Sequence, residues 1–117
     1  MRITIGGCRD YNNYEVFSEF VSECISKINS ENIVILSGHC SGVDEMAEKY
    51  AKEKGYELEI YPADWKKYGK AAGPKRNKEM VRNSNAVIAF WDGKSRGTKN
   101  LIDLAKKKDI QIKIYNI

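Results

Sequence analysis

The residues best suited to hold an anion lie in the segment 86–101, AVIAFWDGKSRGTKNL. Ala86-Val87-Ile88-Ala89-Phe90 reads as a short strand buried on both faces. The run breaks at Trp91-Asp92-Gly93-Lys94-Ser95-Arg96-Gly97-Thr98, and a helical pattern follows with Leu101, Ile102, Leu104 and Ala105. A strand, a glycine-bearing polar turn and a helix start make a site for phosphate. The first N–H groups of the helix and its dipole point at one place. Lys94, Arg96 and Lys99 add positive charge. The plainer reading is a basic turn with no ligand, since glycine turns before helices are common.

Two more turns carry the same character. Gly6-Gly7-Cys8-Arg9-Asp10 follows the first strand, and Ser37-Gly38-His39-Cys40-Ser41-Gly42 follows the second. Arg9 could fork onto a phosphate, and Asp10 could take a ribose hydroxyl or act as a base; an Arg–Asp pair shaping the turn is the alternative. His39 is the single histidine, so no His-based triad or multi-histidine metal site is available, and no Cys/His metal spacing exists. Asp44 sits where a helix opens and could either cap it or meet a ligand. Trp65, Tyr68 and Trp91 fall outside periodic faces, and a tryptophan among Lys and Arg can stack a base. Arg76 and its neighbour Asn77, on a helix before the fourth strand, could reach the same crevice. The expected ligand-contacting set is therefore Gly6, Gly7, Cys8, Arg9 and Asp10 from the first turn, and Gly38, His39, Ser41, Gly42 and Asp44 from the second. Trp65, Arg76 and Asn77 join it, with Trp91, Asp92, Lys94, Ser95, Gly97 and Thr98 from the last. Asp10, Asp44, Arg76 and Asp92 are the candidates for any catalysis.

The elements that must position these residues follow from periodicity. Ile3-Thr4-Ile5 is a first strand. Asn13 suits an N-cap, and Val16, Phe17, Phe20, Val21, Cys24, Ile25 and Ile28 form the apolar stripe of a helix. Ile33-Val34-Ile35-Leu36 is a second strand. Ser41 and Asp44 have the spacing of a capping box, with Val43, Met46, Ala47, Tyr50 and Ala51 on the inner face of the helix and Gly55 ending it. Leu58-Glu59-Ile60-Tyr61 is a third strand, closed by Pro62. Residues 63–73 show no period. Gly73-Pro74 starts a short helix, and after the fourth strand a last helix runs to about Lys108. A fifth strand spans residues 110–115. Strands alternate with helices, so the fold class is α/β: one Rossmann-like three-layer domain over residues 1–117, with a five-stranded mainly parallel sheet of order 3-2-1-4-5 and helices on both faces. In such a sheet ligands bind beyond the carboxyl ends of the strands where the order reverses, and the three glycine turns meet there.

Apolar residues make up 42% of the chain and charged ones 31%, which excludes a disordered polymer. No apolar run approaches the roughly 20 residues that span a bilayer, and the chain opens directly on a strand. A cytoplasmic location is the expectation, and the odd count of three cysteines fits it. Cys24 falls on a helix face that packs inward; Cys8 and Cys40 fall in turns, as small filler or as reactive thiols. Residues 1–61 hold 6 Lys/Arg against 11 Asp/Glu, and residues 62–117 hold 14 against 5. That asymmetry turns the second half toward something anionic. Lys106-Lys107-Lys108 reads as solvated surface, whereas Lys66, Lys67, Lys70, Lys75, Arg76 and Lys78 surround an aromatic loop.

The strings GGCRDY, LSGHCSGVDEMAEKYAKEKG, YPADWKKYGKAAGPKRNKEM and AVIAFWDGKSRGTKNLIDLAKKK resemble the YspA-like branch of the SLOG superfamily, which also holds the LOG phosphoribohydrolases and the DprA DNA-processing proteins. The resemblance implies a nucleotide-binding Rossmann-like domain. It also implies self-association, since SLOG proteins are often dimers or larger. LOG enzymes cleave the N-glycosidic bond of nucleoside monophosphates with an Arg and a Glu. Arg76 and Met80 match the first of their strings and Gly97-Thr98 the second, but the Glu position falls on Leu101. Leucine cannot handle a proton or stabilise an oxocarbenium ion. The expected function is thus binding of a nucleotide or an NAD-derived, ADP-ribose-type signal as a sensor or sequestering protein, with no cofactor required and no turnover. LOG-like hydrolysis is the alternative. DprA-like binding of single-stranded nucleic acid ranks last, because a compact crevice suits a small ligand better.

Overall fold

A computed structural model describes residues 1–117. Its first strand, β1 (Arg2–Gly7), runs into helix α1 (Tyr14–Ser26), strand β2 (Val34–Ser37), helix α2 (Val43–Lys54) and strand β3 (Glu57–Ile60). A one-turn helix α3 (Trp65–Tyr68) and a 3-10 turn over Gly69–Ala71 lead into helix α4 (Ala72–Arg82). Strand β4 (Ala86–Trp91), helix α5 (Arg96–Lys108) and strand β5 (Gln111–Asn116) complete the chain. The strands lie in the order β3-β2-β1-β4-β5, and every pairing is parallel. The sheet is thus wholly, not merely mainly, parallel. Several strands are offset by one residue from the apolar runs that define them.

The strand alternation divides the core. Ile3, Ile5, Ile35, Ile88 and Phe90 face α1 and α2, where Phe17, Val21, Ala47 and Tyr50 cover them. Leu36, Val87 and Ala89 face the other way, onto Met80 and Val81 of α4 and Leu101, Ile102 and Ala105 of α5. A period of two in the central strands and of 3.6 in the helices therefore builds three layers with two apolar interfaces. Phe17 and Phe90 stack with ring centroids 5.0 Å apart at the centre of the first interface.

Local chemistry fixes the helix ends. Asn13 caps α1 through Oδ1, which accepts from Val16 N at 3.2 Å. Ser95 caps α5: its Oγ accepts from Thr98 N at 3.4 Å and pairs with Thr98 Oγ1 at 3.1 Å. Ser95→Ala is expected to cost about 1 kcal/mol of stability, readable as a lower urea midpoint at unchanged slope. Lys108 is exposed, as expected of solvated surface, but its ammonium is engaged. Its Nζ donates to the carbonyls of Val81, Arg82 and Ser84 at 2.8–3.0 Å and so covers the C-terminal end of α4. The capping box expected at Ser41 and Asp44 is absent. Gly42 is the N-cap of α2, with no side-chain cap, while Ser41 Oγ donates to Arg9 O at 3.1 Å. No helix is long and apolar enough to cross a membrane.

Candidate functional site

The chain crosses the sheet between β1 and β4, so the loops after these neighbouring strands leave to opposite faces. A cleft of about 610 Å³ opens there, within the size range of small-molecule sites. Gly6, Gly7, Cys8, Arg9 and Asp10 form its base and one rim. Asp92, Ser95, Gly97 and Thr98 form the facing rim, joined by Arg96, Asn100 and Leu101 from the first turns of α5. Cys40 and Asp44 come from the end of β2 and the start of α2. Trp65, Lys70, Arg76 and Asn77 come from the segment before β4.

At the facing rim, Asp92 Oδ1 accepts from the N–H groups of Lys94 and Ser95, both at 2.8 Å. These bonds hold its carboxyl below the usual carboxylate range. The Cys8 thiol lies against this carboxylate, and burial pushes its pKa up. Ser95 Oγ takes the N–H of Thr98. The N–H groups of Arg96 and Gly97, first in α5, have no carbonyl one turn back and no side-chain acceptor, and both residues line the cleft. They form a corner suited to an anion, and the exposed cations Arg9 and Lys70 line the same cleft.

Arg76 lines the cleft and is also tied into its framework. Its Nη1 donates to Gly38 O at 2.5 Å and approaches Tyr61 O at 3.5 Å, its Nε donates to Asn77 Oδ1 at 2.9 Å, and both terminal nitrogens lie 3.9 Å from Cys40 Sγ. Asn77 is buried and donates from Nδ2 to Gly97 O at 3.2 Å and Asn100 Oδ1 at 3.0 Å. It bolts α4 to the start of α5. Both residues line the cleft and brace the anion corner.

Asp44 forms the floor. It is 6% exposed, and Cys40 N donates to its Oδ2 at 3.2 Å. Burial pushes its pKa up to about 6, against the pull of the Cys40 N–H and the Arg76 guanidinium, while Glu48 adds to the rise. On the outer side, Arg9 lies over the Trp65 indole, 5.6 Å from its centroid, and Trp65 is 48% exposed.

Six of the expected contact residues do not line the cleft. Gly38 and Gly42 lie behind it: a Cβ on Gly38 would meet the Arg76 guanidinium at 2.6 Å, and Gly42 is pressed against the backbone of Cys8 and Arg9. His39, at φ +62°, turns to Glu48, with Nδ1 3.0 Å from Oε2. Ser41 is engaged with Arg9 O, as described above. Trp91 ends β4, packs on the α5 side of the sheet and donates from Nε1 to Ser95 O at 3.1 Å. Lys94 shapes the turn through its N–H alone. Conversely Asn100 lines the cleft unforeseen, and Leu101, noted in the sequence as the place of a LOG-type Glu, lines it as well. Counting three and four residues along the helix from Gly97 would have found them.

The description "YspA, cpYpsA-related SLOG family" (YAcAr) matches residues 1–68, which carry β1, β2, β3 and the floor of the cleft. Among curated proteins, the Gene 61 protein of Mycobacterium phage D29 is 35% identical over 86 residues, covering 68% of this chain and 69% of that protein. An uncharacterized SPbeta prophage-derived protein, YoqJ, of Bacillus subtilis (strain 168) is 39% identical over 54 residues, 44% of this chain. The aligned part spans 32% of that relative's length. No solved structure matches significantly. With the family's match extending over more than half the chain, and with the parallel sheet and switch-point cleft it leads one to expect, this chain belongs to the YspA, cpYpsA-related SLOG family.

Proposed function

We propose that the protein binds a nucleotide or nucleotide-derived molecule, of the ADP-ribose type among others, in the cleft between β1 and β4, and holds it without turnover as a sensor or sequestering protein. Membership of the SLOG family supports a nucleotide-related role. The observation that carries the reading is the corner made by the unengaged N–H groups of Arg96 and Gly97 beside Arg9 and Lys70. It is built for an anion, and the half-exposed Trp65 supplies an aromatic face at the same cleft. Two positions support retention without hydrolysis. Asp92 is engaged by its own turn, and the position that a LOG-type Glu would occupy is the buried Leu101.

Mass spectrometry of small molecules released on denaturing the purified protein, with calorimetry against AMP, ADP and ADP-ribose, tests this. Stoichiometric binding without release of free base is expected. Arg96→Glu should weaken AMP binding at least about tenfold by placing an anion in the corner. It should leave unfolding nearly unchanged, because a carboxylate suits the first turn of a helix. Release of free base would replace the binding role with hydrolysis. Affinity that grows with oligonucleotide length and falls steeply with salt would replace it with nucleic-acid binding.

A further inference from the structure

We propose that Asp44 recognises the ribose hydroxyls of the bound nucleotide and makes the site selective for ribonucleotides over their deoxy counterparts. This rests on the nucleotide reading above and names the chemical class within it.

Three carboxylates reach the cleft, and their surroundings differ. Asp10 is exposed on the rim, where water competes for any ligand. Asp92 is tied to the N–H groups of Lys94 and Ser95. Asp44 is 94% buried, with only Oδ2 engaged, by the N–H of Cys40. No fully occluded side-chain oxygen in the protein lacks a partner, so the unpaired Oδ1 is open to the cleft that Asp44 lines. A carboxylate held by one oxygen and open at the other is an oriented acceptor with little freedom left to lose.

What it accepts follows from its place. The point where a Gly6 side chain would begin is 3.6 Å from Asp44 Oδ1 and 2.9 Å from Leu101 Cδ2. Any side chain there would fill the space between an acceptor and an apolar wall. A phosphate is repelled from this floor and drawn to the start of α5, one turn before Leu101. The group beside the phosphate must therefore be a neutral donor with a carbon face. A ribose has both, since its hydroxyls donate to Oδ1 and its ring carbons lie on Leu101. The base has its aromatic partner elsewhere, at Trp65 across the cleft.

Calorimetry at about pH 8 with AMP, 2′-deoxy-AMP, 3′-deoxy-AMP and IMP, on the wild-type chain and Asp44→Asn, tests the assignment. The wild-type protein should bind AMP at least about tenfold more tightly than one or both deoxy forms, the loss expected for a hydrogen bond to a charged group. Asp44→Asn should shrink that ratio to about threefold or less and leave the AMP-to-IMP ratio as it was. Equal wild-type affinity for AMP and both deoxy forms overturns the assignment, as does a variant that changes the AMP-to-IMP ratio instead. Those results leave the nucleotide reading intact, whereas failure of all four ligands to bind removes both.

Discussion

Asp44→Asn should melt at a higher temperature than the wild-type protein at pH 7.5, although it removes a charge flanked by Arg76 and Arg9. The cause is burial. The Asp44 pKa is pushed from an ordinary 3.8 to about 6, so the folded chain holds this proton more tightly than the unfolded chain does. Below about pH 4 both states are protonated and the residue carries no penalty. As the pH rises through the window between 3.8 and about 6, the unfolded chain ionises first and stability is lost. Above that window the buried carboxylate costs about 3 kcal/mol, from roughly two pKa units at 1.36 kcal/mol each. Asparagine keeps an oxygen for the Cys40 N–H and avoids the cost. A gain of about 2 kcal/mol is expected at pH 7.5, on the order of 5–10 °C for a chain of this size. The gain should close as the pH falls toward 4. Thermal unfolding of both proteins across pH measures it. The comparison cancels Glu59 and Asp92, whose lowered pKa values act with the opposite sign in both chains. An equal or lower melting temperature for the variant at pH 7.5, or a gap independent of pH, would contradict the argument. A residue that costs stability while facing a cleft is what a binding floor looks like energetically.

Gly42→Ala should have the largest effect in the other direction. Gly42 has φ +74° and ψ −122°, a region essentially closed to L side chains. A Cβ there would also stand 2.5 Å from both Cys8 O and Arg9 C. Backbone cannot swing aside as a side chain can. At the same place Val43 N donates to Cys8 O at 3.2 Å, so the turns after β1 and β2 are sewn together there. Strain and clash together should cost about 3 kcal/mol or more and part the two turns. Urea unfolding should show a sharply lower midpoint, and nucleotide binding should weaken with it. A loss under about 1 kcal/mol would mean that the turns separate freely.

The sheet order was legible because apolar runs, helical stripes and glycine turns all agreed, as in Ala86–Trp91 followed by Ser95 and Leu101. The cleft's position at the switch point followed from topology. Other features needed tertiary geometry. Residues 65–71 bury no side chain in α3 or the 3-10 turn, so no hydrophobic period marks them. Ser41 and Asp44 carry capping-box spacing, but the neighbouring backbone of Arg9 and Cys40 claims their side chains. Trp91 looks like a loop aromatic until its pairing with Asn116 extends β4 by one residue. Arg76 is expected at the ligand from sequence and does line the cleft, but its further bonds to Gly38, Tyr61 and Asn77 were hidden in the string.

Lys108 of α5 grips the C-terminal end of α4, and Asn77, midway along α4, reaches back to the start of α5. The two helices therefore form one stiff jaw. The short stretch with Trp65 and Lys70 buries no residue, so local opening there costs little apolar burial. For the nucleotide proposed above, the expected route of entry and exit is therefore the side of Trp65 and Lys70, with the corner at Gly97 held in place by the paired helices.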